Sequence, residues 1–274
     1  MRQTRIKIHL TLIILISALA VTAIFGIVLN IFGIRYFKAD NGSKFLGITK
    51  DGVVLSGTIM LPDGTKAKID RARGVIEYSN GDIYDGEFSG FYRNGQGHMT
   101  YAATGDTYEG QFSDDKMSGK GIYRSADGSV YDGEFLDGKK SGTGKYIWSD
   151  GSTYEGGFLE NRKNGSGKYH GADGAEYVGD YENDRKNGKG TYTYPNGDKY
   201  IGDFVDDMRQ GLGTYIWANG ESYVGEFLGN MKHGKGVYKW PAPTERSYDG
   251  YFENGTLIIT DPAQEQGADV QTEQ

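Results

Sequence analysis

Aromatic and polar positions alternate along most of the chain, in short segments separated by polar stretches that contain glycine. The commonest segment has an aromatic residue, any residue, Gly, any residue and a second aromatic residue, as in Tyr154-Glu-Gly-Gly-Phe158. Alternation with a period of two predicts a β-strand with one apolar and one polar face. The segment begins at Tyr84, Tyr108, Tyr131, Tyr154, Tyr177, Tyr200, Tyr223 and Tyr248. Spacings of 23 to 25 residues predict an array of structural repeats.

Each repeat contains a second predicted strand. In the repeat that begins at Tyr108, polar residues 113–118 form a predicted turn, a second strand follows at 122–124, and Asp127-Gly128 close the unit. Asp-Gly and Asn-Gly favour tight turns because glycine adopts positive φ without steric cost. Each repeat is therefore predicted to be a β-hairpin, and successive hairpins are predicted to extend one antiparallel sheet. Helix is disfavoured because no 3.6-residue period is present.

The amino-terminal part of the chain has a different pattern. Leu10–Ile34 holds 25 residues without a charge, and a helix of that length would span about 37 Å. The hydrocarbon core of a bilayer is about 30 Å thick, so this segment predicts a single, tilted transmembrane helix. A cleaved signal peptide is the alternative. Apolar sequence continues for 14 residues after the small-residue site at 18–20, however, which favours an uncleaved anchor.

The order of these segments predicts the domain organisation. The chain divides into a basic flank at 1–9, a transmembrane anchor at 10–34, a linker plus two degenerate repeats at 35–83, seven repeats plus a terminal half repeat at 84–260, and a disordered tail at 261–274. Three basic residues flank each end of the anchor, so the positive-inside rule does not decide its orientation. The layout of a signal anchor favours repeats outside the cell membrane, and it favours a bacterial source.

Composition and charge narrow the classes of function. The net charge of −7 argues against nucleic-acid binding, which needs a basic surface. The chain has no cysteine, which excludes disulfides and thiolate metal sites. Its four histidines are scattered without metal-ligand spacing, and the chain has no Gly-x-Ser-x-Gly motif. We therefore expect no enzymatic activity, no metal and no cofactor.

Tyr-x-Gly-x-Phe, followed by Gly-x-Gly and then Asp/Asn-Gly at a period of 23 residues, resembles the MORN repeat family over Tyr84–Phe252. The resemblance implies an elongated, single-layer, twisted antiparallel sheet. It also implies scaffolding, protein binding, self-association and, in some members, attachment to membrane lipid, and it brings no catalytic residues. The histidine that is common before Gly-x-Gly in the family is present here only as His233. This departure leaves any family-specific ligand open.

Two sets of residues are candidate binding sites. The first is an aromatic face that consists of Tyr146, Trp148, Tyr192, Tyr194, Tyr215, Trp217, Tyr238 and Trp240. An exposed aromatic stripe usually marks an interaction site, whereas the alternative is that these rings form the core of a one-layer sheet. The second is a basic edge, placed at the first hairpin turn, that consists of Arg93, Lys140, Lys163, Lys186, Arg209 and Lys232. Such an edge suits anionic lipid, an envelope polymer or an acidic partner; alternatively, it keeps the turns soluble.

These features together predict a non-enzymatic scaffold that is anchored in the cell membrane by Leu10–Ile34. Its repeats are expected to bind a protein partner or a second copy of the chain, because the open ends of a one-layer sheet favour a homodimer. The alternative function is a module that binds a cell-envelope polymer or lipid headgroups, since Tyr and Trp rings stack on sugars and on cationic groups.

Overall fold

The computed structural model describes residues 32–241, 243 and 246–258. These residues contain 21 β-strands and no helix, and all the strands belong to one antiparallel sheet. The strands are β1 (Ile34–Lys38), β2 (Lys44–Lys50), β3 (Val53–Met60), β4 (Lys66–Asp70), β5 (Val75–Tyr78), β6 (Ile83–Ser89), β7 (Tyr92–Thr100), β8 (Thr107–Ser113), β9 (Lys116–Arg124), β10 (Val130–Leu136), β11 (Lys139–Ile147), β12 (Thr153–Leu159), β13 (Arg162–His170), β14 (Glu176–Glu182), β15 (Arg185–Thr193), β16 (Lys199–Val205), β17 (Met208–Ile216), β18 (Ser222–Leu228), β19 (Met231–Lys239), β20 (Ser247–Glu253) and β21 (Thr256–Ile258). The prediction of an all-β, single-sheet repeat fold is confirmed.

The described residues fall into two compact units, divided between Met117 and Ser118. In the first unit, each of β1 to β7 pairs with the strand that follows it. Phe45, Ile59, Ile69 and Ile76 are buried there. The hairpin pattern therefore extends through almost the whole stretch at 35–83, with a largely aliphatic core.

In the second unit, consecutive strands from β9 to β21 are antiparallel neighbours. A seven-residue strand and a nine-residue strand form each regular hairpin, as in β12 and β13. Tyr154 on β12 lies opposite Tyr146 on β11 and opposite Tyr169 on β13. Cross-strand partners share a face of the sheet, so the tyrosines of both strands lie on the same face.

Two kinds of turn connect the strands. The turn inside a hairpin has only two residues, such as Glu160-Asn161, and both have positive φ (47° and 74°), as a type I′ turn requires. The connection to the next hairpin is longer: the Gly174 N–H donates to the Gly171 carbonyl at 2.9 Å, and Gly174 has a φ of 90°. The predicted six-residue turn at 113–118 is therefore wrong in length, because only residues 114–115 lie between β8 and β9.

The predicted transmembrane anchor, Leu10–Ile34, falls almost wholly outside the described residues. Its last three positions, residues 32–34, form a turn and the first residue of β1 rather than helix. No helix in the described part of the chain is long and apolar enough to cross a membrane. The predicted tail at 261–274 also lies outside the described residues.

Candidate functional site

The first strand of each of the five regular hairpins, from β10–β11 to β18–β19, contributes one fully buried tyrosine. This inner row consists of Tyr131, Tyr154, Tyr177, Tyr200 and Tyr223, which are at most 1% exposed. Gly156 and Gly167 face each other across β12 and β13, and a Cβ at Gly167 would lie 2.4 Å from the Tyr154 hydroxyl oxygen. The tyrosine ring therefore lies over the space that the two glycines leave, and the Tyr-x-Gly and Gly-x-Gly motifs fit together as one packing unit.

Each inner-row hydroxyl bonds to its own strand. The Tyr154 hydroxyl donates to the Gly157 carbonyl at 3.1 Å, and the Tyr177 hydroxyl donates to the Asp180 carbonyl at 3.0 Å. Burial raises the pKa of Tyr154, Tyr200 and Tyr223 to about 12. These hydroxyls stay protonated at neutral pH, and their hydrogen bonds to backbone carbonyls stabilise the fold.

The second aromatic residue of each first strand links neighbouring hairpins. Phe158 is edge-on to Tyr154 with centroids 5.2 Å apart, and edge-on to Tyr131 of the preceding hairpin at 5.0 Å. Such ring pairs contribute about 0.5–1.5 kcal/mol each beyond area burial. The contact recurs along the unit, so the inner row and its partners are the core of the repeats.

The second strand of each hairpin, together with the residue directly after it, carries a separate set of rings that stay half-buried. This outer row consists of Tyr146, Trp148, Tyr169, Tyr192, Tyr194, Tyr215, Trp217, Tyr238 and Trp240. From Tyr192 to Trp240 it is continuous, with successive centroids 4.5, 5.7, 4.7, 5.2 and 4.8 Å apart. All eight residues predicted as an aromatic face belong to the outer row.

The outer row is interrupted at Gly171. This glycine occupies the position that Trp148, Tyr194 and Trp217 occupy in other repeats. A cavity of about 400 Å³ lies there, lined by Trp148, Asp150, Ser152, Lys163, Tyr169, Tyr177, Tyr181, Asp184, Lys186, Tyr192 and Asp207. The gap divides the outer row into a short segment at Tyr146–Tyr169 and a long one at Tyr192–Trp240.

Several polar groups of the outer row have no hydrogen-bond partner among the described residues. The Tyr215 hydroxyl donates to Asp198 Oδ2 at 2.7 Å, and the Tyr238 hydroxyl donates to Glu221 Oε2 at 2.6 Å. By contrast, the Tyr192 and Tyr194 hydroxyls and the Trp217 indole N–H make no hydrogen bond to another described residue. These groups are available to a ligand on the exposed side of the rings.

The basic residues predicted as a separate edge lie on the aromatic face instead. Because the hairpin turn has two residues, Lys163 is the second residue of β13, opposite Phe158. The basic groups lie over aromatic rings: Lys140 over Tyr146 (4.4 Å), Lys163 over Tyr181 (4.9 Å), Lys186 over Tyr192 (5.0 Å), Arg209 over Tyr215 (5.1 Å), Lys232 over Trp217 (5.2 Å) and, in the first unit, Arg93 over Phe112 (5.3 Å). Burial lowers the pKa of Lys140 and of Lys163. Their stems and charges help to cover the inner row.

Sequence reasoning missed a set of residues that join neighbouring hairpins. Asp184, at the second turn position, accepts a hydrogen bond from the Lys163 N–H at 2.8 Å and donates its own N–H to the Lys163 carbonyl at 3.0 Å. The same reciprocal pair is made by Asp115, Asn161, Asp207 and Asn230. All five have φ between 68° and 74°, which Asn and Asp tolerate better than most residues. The recurrence of Asp or Asn at this repeat position was the available signal.

The described residues contain no group of three or more His, Cys, Asp or Glu side chains that could hold a metal ion. They consist of hairpins in which a buried tyrosine lies over paired glycines and a half-buried aromatic row lies beside it. This arrangement defines a β-hairpin repeat protein. The MORN repeat family profile matches residues 84–103, 108–130, 131–153, 154–176, 177–199, 200–222 and 223–242, more than half of the chain. The chain belongs to the MORN repeat family.

The solved structures that this chain is similar to are distant in sequence. The TCP10 domain of Danio rerio CPAP, in complex with a peptide of Danio rerio STIL, is 11% identical over 80% of this chain and 99% of that chain, with a TM-score of 0.36. The SAS-4 (dCPAP) TCP domain of Drosophila melanogaster, in complex with a proline-rich motif of Ana2, is 15% identical over 80% of this chain and 90% of that chain, with a TM-score of 0.18. A comparison with curated proteins found no match.

Proposed function

We propose that this protein is a non-enzymatic scaffold that holds a protein partner on the outer row of its repeats. The observation that carries the proposal is the division between the two aromatic rows. The inner row is at most 1% exposed and forms the core, whereas the outer row is half-buried and has hydrogen-bond donors without a partner among the described residues. Aromatic side chains with a free polar group are enriched at protein interfaces.

The membrane is the second part of the proposal. The uncharged segment Leu10–Ile34 supports a single-pass anchor. With the signal-anchor layout, the repeats would lie on the extracytoplasmic side of a bacterial cell membrane. Protease treatment of intact cells that carry a carboxy-terminal tag tests this. Loss of the tag supports the proposed side, while survival of the tag beside a cleaved outer control protein would place the repeats in the cytoplasm.

Site-directed photo-crosslinking tests the binding surface. A photoreactive phenylalanine analogue at Tyr194 lies on the outer row. At Ile201 it lies on the opposite face, because Ile201 alternates with Tyr200 along β16 and is 44% exposed. We expect a protein adduct from position 194 and none from position 201, and we expect Trp217→Ser to abolish it.

The outcomes separate three functions. An adduct that contains a second copy of this chain indicates self-association through the outer row. A second outcome is that the protein binds soluble envelope polymer or lipid vesicles, loses that binding in the Trp217→Ser variant and gives no protein adduct. This result would replace the scaffold with the polymer- or headgroup-binding function. Equal adducts from both faces would refute the assignment of the site.

A further inference from the structure

We propose that the segment held by the outer row is a proline-rich stretch in the polyproline II conformation, which crosses the strands and makes one turn per repeat. This inference rests on the proposed function and specifies the class of partner. Its site is the uninterrupted part of the row, from Tyr192 to Trp240. Three features of that part carry the argument: its period, its unpaired donors and its balance of charge.

The period of the outer row matches the pitch of polyproline II. Each hairpin adds two strands at about 4.8 Å, so equivalent rings recur every ~9.6 Å across the sheet. The centroid path sets an upper limit close to this value, since Tyr192 to Tyr194 is 4.5 Å and Tyr194 to Tyr215 is 5.7 Å, which places the Tyr192 and Tyr215 centroids no more than about 10 Å apart. Polyproline II has three residues per turn and rises about 3.1 Å per residue, or ~9.3 Å per turn. Over the two intervals between the three ring pairs, the mismatch is about 0.6 Å.

Other regular conformations fit the row less well. A β-strand presents the same face every two residues, or about 6.6 Å, and three residues would reverse its face. An α-helix presents the same face after seven residues, or about 10.5 Å, so it drifts from the rings by almost 2 Å over the two intervals between the three ring pairs. Only the three-residue period places an equivalent residue on each pair of rings.

The chemistry of the row also suits this conformation. Polyproline II has no internal hydrogen bonds, so its carbonyl oxygens need donors from outside. The Tyr192 and Tyr194 hydroxyls and the Trp217 indole N–H are donors without a protein partner among the described residues. Flat half-buried rings supply the apolar contact for pyrrolidine rings, and the preformed segment loses little entropy on binding.

The charges beside the row do not demand a charged ligand. Lys186 Nζ lies 3.4 Å from Asp207 Oδ1, so this cation already has a carboxylate partner. Arg209 lies over Tyr215 and donates through Nη2 to the Asn230 carbonyl at 2.6 Å. A neutral, proline-rich segment therefore leaves the existing pairs intact. Three ring pairs, at 192/194, 215/217 and 238/240, set its length at about nine residues.

The test uses full-length protein in detergent and fluorescent oligoprolines of three, six, nine and twelve residues. We expect affinity to rise roughly two- to tenfold for each added turn, the factor of one ring contact, and to level off at nine residues. Trp217→Ser should weaken nonamer binding at least tenfold, and Ile201→Ser should leave it unchanged. Trp217→Phe keeps a ring in place and removes the donor, so it should bind with intermediate affinity while retaining wild-type circular dichroism.

Absence of nonamer binding, equal affinity at every length, or binding that Trp217→Ser leaves intact would each overturn the inference. The crosslinking experiment tests the proposed function independently of the polyproline II segment. If position 194 captures a protein that the nonamer does not compete away, the scaffold stands and the polyproline II segment is wrong. A helical peptide that competes with that protein would identify a helix as the occupant, and would likewise overturn the inference.

Discussion

Replacing one glycine of the inner packing unit tests whether the tyrosine rings depend on the glycine pairs. Gly190 lies opposite Gly179, and a Cβ at Gly190 would lie 2.4 Å from both Cε2 and the hydroxyl oxygen of Tyr177. Gly190 does not have positive φ, so Gly190→Ala adds a steric conflict without backbone strain. The Tyr177 ring cannot yield easily, because it is edge-on to Tyr181 at 5.1 Å and to Phe204 at 5.2 Å.

The cost follows from what Tyr177 loses when it is displaced. Burial of a large apolar side chain contributes about 1.5–3 kcal/mol, a hydrogen bond such as that to the Asp180 carbonyl about 0.5–1.5 kcal/mol, and each edge-on contact about 0.5–1.5 kcal/mol. The lower ends of these ranges already amount to about 3 kcal/mol. Gly174→Ala is the matched control: Gly174 has a φ of 90° and nothing within 4 Å of an added Cβ, so only backbone strain of about 1–2 kcal/mol applies.

Urea unfolding followed by tryptophan fluorescence measures both variants, and Tyr177→Ala provides a double-mutant cycle. With the ring removed, Gly190→Ala should cost less than about 1 kcal/mol, because the two side chains are coupled. The reasoning is refuted if Gly190→Ala destabilises no more than Gly174→Ala, or if its cost is the same with and without the Tyr177 ring.

Three further predictions concern the turns, the buried hydroxyls and the gap. Asp184→Gly should lower the free energy of unfolding by about 1 kcal/mol because a hydrogen bond is lost. Asp184→Ala should lower it by about 1–2 kcal/mol more because Ala is strained in the left-handed conformation. Urea unfolding measures both variants, and equal costs would exclude the strain. Burial raises the pKa of inner-row tyrosines such as Tyr154 from about 10 in the unfolded chain to about 12. The contribution of these tyrosines to the free energy of unfolding should therefore be constant below pH 10 and should fall between pH 10 and about 12. Tyrosinate absorbance should rise together with unfolding. Tyrosinate that forms near pH 10 in the folded protein would contradict this. Gly171→Tyr should make the outer row continuous, so that the dodecamer of proline binds more tightly than the nonamer; unchanged affinities would contradict this.

The hairpins could be predicted from the sequence because their signals are local. Period-two alternation around Tyr154 and Phe158 indicates a strand, and Asp173-Gly174 indicates a turn. The relative length of the two turns could not be predicted in this way. Asp-Gly pairs lie in the longer connection, whereas the two-residue turn uses pairs such as Asn183-Asp184. The Asp184 side chain bonds to the preceding hairpin, which provides a partner that a local turn rule does not include.

The position of the basic residues depended on that turn length. A six-residue turn would leave Lys163 at an exposed edge, while a two-residue turn places it inside β13 on the aromatic face. The division of the tyrosines into buried and half-buried rows was also missed. Tyr154 and Tyr169 share a face and a register, but Tyr154 lies over a glycine pair and is edge-on to Phe158 and Tyr181. This difference becomes visible when the paired strand is known.

Separation of the two rows allows residues of the outer row to change without loss of the fold. The inner row provides burial, ring contacts and hydrogen bonds, and its glycines tolerate no added Cβ. The outer row is half-buried and varies between Tyr, Trp and Gly at one repeat position, as Tyr194, Trp217 and Gly171 show. Because a repeat array is stabilised by neighbouring contacts, a change in one outer position alters the binding surface locally. Outer-row substitutions should therefore change affinity more than they change the free energy of unfolding, while inner-row substitutions should do the reverse.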